Sequence, residues 1–165
     1  MRYRDAFSLL VAIFTIVLVS LVAAYIFFAS SATVKEGALQ YKKEQAQLLA
    51  RSYTEYAVMA ISANNRGSSK ICIDNINATI GTDPAKGQGY RVRVAITYIG
   101  NERYVDKCTR VAAKLDNSDI DTLSAIIDVY VEYRDIFHPS LFINNSTLMK
   151  QVPWQTYHKR SIQKI

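Results

Sequence analysis

Apolar and polar positions divide the chain into three stretches with different periods. Residues 7–29, FSLLVAIFTIVLVSLVAAYIFFA, are apolar with no helical or strand alternation, and no Lys, Arg, Asp or Glu occurs between residues 6 and 34. About 20 apolar residues are needed for a helix to cross a bilayer core. Residues 9–28 contain 14 Leu, Ile, Val or Phe, worth about −4 to −8 kcal/mol for insertion. Ser8, Thr15 and Ser20 cost little in such a helix, because each hydroxyl can return to a carbonyl one turn back. The pattern therefore predicts a membrane helix over residues 7–29.

From residue 35 the period becomes helical and one-sided. KEGALQYKKEQAQLLARSYTEYAVMAIS contains no Pro and is rich in good helix formers. Leu39, Ala46, Leu49, Tyr53, Ala57 and Ala60 fall on one stripe at spacings of mostly three or four. This predicts an amphipathic helix over 30–65 continuing the span, ended by Asn64-Asn65-Arg66-Gly67 with Gly67 as the left-handed cap.

Residues 66–165 switch to period two. In residues 90–99, Tyr90, Val92, Val94, Ile96 and Tyr98 share a face, with Arg91, Arg93 and Thr97 opposite. In residues 127–133, Ile127, Val129, Val131 and Tyr133 alternate with Asp128, Tyr130 and Glu132. Residues 70–74 and 154–162 read as outer strands, Gly100-Asn101 as a hairpin turn into a strand over 102–109, and residues 81–89 and 138–153 as irregular. Such alternation implies a sheet with one wet face. The helical stripe would cover the dry face. The expected fold is α+β: a long N-terminal helix, membrane half plus amphipathic half, packed on a small antiparallel sheet.

Charge sharpens this division. Residues 35–165 carry 18 of the 20 Lys and Arg and 13 of the 14 Asp and Glu. Arg2 and Arg4 precede the run, and Lys35, Lys42 and Lys43 follow it. The short basic flank favours a cytoplasmic N-terminus and an outer C-terminal domain. A cleaved secretory signal is the rival reading, with small residues at Ala29, Ser31 and Ala32, but the apolar run exceeds the usual length of such a signal. Cys72 and Cys108 are the only cysteines. On the outer side one disulfide is the default, and in the cytosol two buried thiols.

The stretch MRYRDA-FSLLVAIF resembles the start of type IV pilins and type II secretion pseudopilins. In that family a short basic leader and a small residue precede the cut, and Phe, a small or hydroxyl residue and Leu open the membrane helix. The resemblance implies a leader at residues 1–6, cleavage between Ala6 and Phe7 by prepilin peptidase, and methylation of the new amine. It also implies a pilin-like fold and location in a bacterial inner membrane, with the β-rich domain at 66–165 in the periplasm. The partners would be other pilin or pseudopilin subunits, met through the N-terminal helix, and an inner-membrane assembly platform. Three residues depart from the pattern. Ala6 stands where Gly is usual, Asp5 lies beside the cut, and Val11 replaces a Glu thought to pair with a neighbouring subunit's amine. An intramembrane carboxylate is costly unless paired, so Val11 fits a minor subunit that starts or tips a filament, or a branch of the family that dispenses with the pair.

No catalytic constellation accompanies these features, and neither an enzyme nor a cofactor is expected. His138 and His158 form no metal or nucleophile motif, and both read as solvated or capping residues. Some pseudopilins bind calcium, and Asp116, Asp119 and Asp121 in LDNSDID are the residues that would gather around it. They lack the EF-hand spacing and its Gly, and turn or cap chemistry accounts for them without a metal. The basic tail, His158, Lys159, Arg160 and Lys164, reads first as a protected edge strand. Nucleic acid remains a second partner class on charge grounds. Against it, Arg91 and Arg93 lie on the face opposite Tyr90 and Tyr98, which weakens a base-stacking platform. The remaining alternative is a signal-anchored periplasmic binding or scaffold domain that is never processed.

Overall fold

A computed structural model describes residues 3–64, 72–115, 123–135 and 152–165 of the chain. It contains a long helix, α1 (Tyr3–Ala63), followed by β1 (Asn75–Asp83), a 3-10 turn (Pro84–Lys86), β2 (Gln88–Asn101), a one-turn helix α2 (Glu102–Val105), β3 (Val111–Leu115), β4 (Leu123–Arg134) and β5 (Trp154–Lys164). The architecture is α+β. The chain separates into two compact units, residues 1–41 and 42–165.

In the first unit the helix exposes apolar side chains all round, among them Leu10, Phe14, Val19, Tyr25 and Phe28. Thr15 Oγ1 donates to the Ala12 carbonyl (2.9 Å) and Ser20 Oγ to that of Ile16 (2.8 Å), so both hydroxyls are satisfied within the helix. Among the described residues this is one helix long and apolar enough to cross a membrane.

In the second unit the sheet runs β1-β2-β4-β5, and β3 also pairs with β2. All pairs are antiparallel except β2–β3. The expected alternation sets the register. Val92 lies opposite Val131, Val94 opposite Val129 and Ile96 opposite Ile127, all fully buried. Each such side chain contributes about 1.5–3 kcal/mol on leaving water. The helix covers this face with Ala46, Ala50, Thr54, Ala57 and Ile61. The stripe is centred one position away from the predicted one. Leu49 and Tyr53 flank it, half-buried. Thr54 is tolerated at the centre because its hydroxyl donates to the Ala50 carbonyl (2.7 Å). The Tyr90 hydroxyl donates to Gln45 Oε1 (2.7 Å), and Lys42 Nζ, its pKa lowered by burial, donates to the Gly87 carbonyl.

Three expectations fail locally. Residues 102–109 do not form a hairpin strand. Asn101 instead caps α2, its side chain accepting from the Arg103 N–H (2.9 Å), and the chain returns as β3 parallel to β2. Residues 72–74 precede the first strand rather than forming one. The supposed irregular region 81–89 closes a β1–β2 hairpin. There Gly81 and Gly89 lie opposite each other with φ +93° and +150°. A Cβ at Gly81 would stand 2.4 Å from the Gln88 carbonyl oxygen, so only glycine allows the two backbones to approach this closely. Most of 138–153 lies outside the described residues, as does Gly67.

Cys72 and Cys108 form a disulfide, Cα to Cα 5.1 Å, closing a separation of 36 residues. On the chain-entropy model a loop of this size contributes about 3–4 kcal/mol.

Candidate functional site

Two surfaces carry chemistry. The first is the exposed apolar start of α1. Val11 lies on it, 43% exposed, and no carboxylate occurs among residues 10–30. Ala6 and Phe7 fall within the helix by their backbone, while their side chains lie outside the described residues.

The second is the outer face of the sheet, where strand pairing assembles residues far apart in the chain. Strand period two puts Arg91 and Arg93 of β2 on this face with Asp128, Tyr130, Glu132 and Arg134 of β4. Register then sets Arg160, His158 and Trp154 of β5 beside Asp128, Tyr130 and Arg134. Asp128 accepts from Arg160 through both oxygens (2.7 and 3.0 Å) and pairs with His158 Nε2 at 2.8 Å. The Arg160 guanidinium, first of all, holds the Asp128 carboxyl below its ordinary pKa; burial acts the other way, and His158 adds to the lowering. Arg160 is raised in turn by the same hydrogen bond. Glu132 accepts from Arg93 and lies 3.9 Å from Arg91. The two acids are sunk, with side chains 11% exposed, among arginine side chains that are 48% (Arg91), 56% (Arg93) and 64% (Arg160) exposed. The face offered to solvent is therefore positive.

Aromatic rings separate these cations. Tyr130 and His158 stack at 4.4 Å, nearly parallel, while Arg93 lies 5.9 Å from the Tyr130 ring centre, reaching it from the opposite neighbouring strand. Arg91 and Arg134 each lie 4.5 Å from the Trp154 ring centre. Reading the arginines only against Tyr90 and Tyr98 missed these rings. The signal for them was the alternation of residues 128–134 and 154–160, but pairing alone sets those rows beside residues 91 and 93.

At the β1 end of this face is a cleft of about 480 Å³, lined by Asn75, Asn77, Arg93, Arg110 and Tyr130. β1 pairs with β2 only as far as Ala95, and β3 takes over at Tyr98. Between them the Ile96 N–H donates to the Asp74 carbonyl and the Tyr98 N–H to that of Arg110, both at 2.9 Å. The Cys72–Cys108 bridge ties together the approaches to these two strands. Backbone bonds and disulfide thus place Arg110 across from Asn75 and Asn77.

Asp116, Asp119, Asp121 and His138 lie outside the described residues, so the calcium reading finds no geometry. Among the described residues no group of three His, Cys, Asp or Glu could hold a metal ion. The chain matches no protein-family model, no curated protein and no solved structure.

Proposed function

We propose that this chain is a pilin-like minor subunit of a type IV pilus or type II secretion filament, and that its action is assembly rather than catalysis. One observation carries the reading. A single helix, α1, is uncharged and exposed on all sides over residues 10–28, yet buries a stripe of small residues under a β-sheet over residues 46–61. An exposed apolar helix is stable only in lipid or against similar helices. A subunit drawn from a bilayer into a filament exchanges the first environment for the second. The start MRYRDA-FSLLVAIF supplies the processing point, Ala6-Phe7, and Val11 suits a subunit that has no neighbour's amine to pair with. In this reading the partners are prepilin peptidase, sister subunits and an inner-membrane assembly platform, and the sheet domain is displayed in the periplasm.

The second reading, an unprocessed anchored binding domain, draws on the cationic cleft. Mass spectrometry of the N-terminus separates the two. The full chain is purified from a host with prepilin peptidase and from the same host lacking it. A methylated Phe7 start that depends on the peptidase is expected, and an intact Met1 in both hosts would sink the filament reading.

A further inference from the structure

The geometry points to the cleft beside β1 as a binding site for an anionic glycan, with an acidic sugar ring in the cleft and its carboxylate on Arg93 and Arg110. The cleft's size, about 480 Å³, accommodates a sugar ring. Its polar lining is two guanidiniums, two carboxamides and a phenol. Guanidinium forks match carboxylates, while carboxamides both donate to and accept from hydroxyls. Asn75 and Asn77 are exposed and share a face of β1, so both amides are presented together. Arg110 has no ion pair among the described residues, and its backbone is pinned by the Tyr98 N–H. Two acids of this face repel an anion only weakly, because both are buried, Asp128 accepting from Arg160 through both oxygens and Glu132 lying between Arg91 and Arg93.

The same observations disfavour the other polyanion that such a charge would attract. Single-stranded nucleic acid is held by bases stacked on open aromatic faces. Here the Tyr130 ring is flanked by His158 and Arg93, and Trp154 carries two guanidiniums. Both rings are thus already engaged by side chains of this face. A peptide anchored by apolar side chains is equally unsuited, since the lining offers only Val94 and Ala95 as apolar residues, and Val94 is 1% exposed.

The inference is independent of filament assembly, because the assay requires neither processing nor partners. The full chain in detergent micelles is titrated with polygalacturonate, with its fully methyl-esterified form and with oligothymidylate. Saturable binding of polygalacturonate is expected, at least tenfold weaker for the ester. R110Q is expected to weaken it about tenfold and N77A severalfold. Both positions are exposed, so the melting curve should not move and a folding defect can be told from a binding defect. The inference is overturned by absence of polygalacturonate binding, by equal binding of the ester, or by indifference to R110Q. It is overturned too by tighter binding of oligothymidylate with the same dependence on Arg110, which would make the face a nucleic-acid surface.

Discussion

Asp128 shows how one residue can order a surface. It lies in the central strand β4 with its side chain 11% exposed, and it gathers Arg160 and His158 from the neighbouring strand. Burial alone would raise its pKa from 3.8, and the Arg160 hydrogen bond reverses the direction. A carboxyl held lower in the folded than in the unfolded chain adds stability at every pH above its unfolded value. That stability is lost as pH falls through the folded value. D128N should therefore melt a few degrees lower than the parent at pH 7, and the difference should vanish in acid, where the parent's carboxyl is also neutral. Thermal melts followed by circular dichroism between pH 7 and pH 2 check this. A difference that persists in acid would assign the loss to packing. Arg160 is 64% exposed, so solvent screens this pair and limits its contribution to the few degrees expected for D128N. Its use is to keep Asp128 ionised and the outer face in order.

At the scale of elements, the second half of α1 and the sheet fit by size. Ala46, Ala50, Thr54 and Ala57 are small, and they meet Val, Ile and Tyr from β2 and β4. A large residue in this seam has nowhere to go, because Ala50 is fully buried. A50L should cost about 1–3 kcal/mol by overpacking, measured as a lowered denaturation midpoint with unchanged slope. R51L, one position along and exposed, should leave the midpoint nearly unchanged. Equal effects of the two would show that the helix does not pack through this stripe. The β1–β2 hairpin and α2 illustrate the opposite lesson. Gly81 and Gly89 read as loop residues by composition, yet they allow a close antiparallel pairing of β1 and β2. Gly100-Asn101 reads as a turn, yet Asn101 caps a helix.

At the scale of the whole molecule, the apolar start of the chain is a candidate membrane span. Residues 9–28 supply about −4 to −8 kcal/mol for insertion. Two arginines at the middle of the span cost about 5–7 kcal/mol, enough to cancel most of that. The parent chain should stay in the pellet after alkaline carbonate extraction of membranes, and V17R/L18R should move largely to the supernatant or fail to accumulate. Retention of the double variant would mean that Val17 and Leu18, both exposed on the helix, do not lie at bilayer depth.

Local pattern was enough for whatever depends on a period. The inward rows of β2 and β4 are legible because burial imposes a 2-residue repeat, the uncharged run by its composition, the helix end near residue 63 by the turn residues after it, and the edge position of β5 by its Lys and Arg. The disulfide was legible because only two cysteines exist. Contacts between distant strands leave no such trace. That Asp128 sits beside Arg160, that Trp154 lies between Arg91 and Arg134, and that Arg110 faces Asn75 and Asn77 follow from register and from a parallel return of β3. A sequence states which face a side chain takes; only the paired sheet determines its neighbours, because pairing minimises the energy of all strands together rather than of any one.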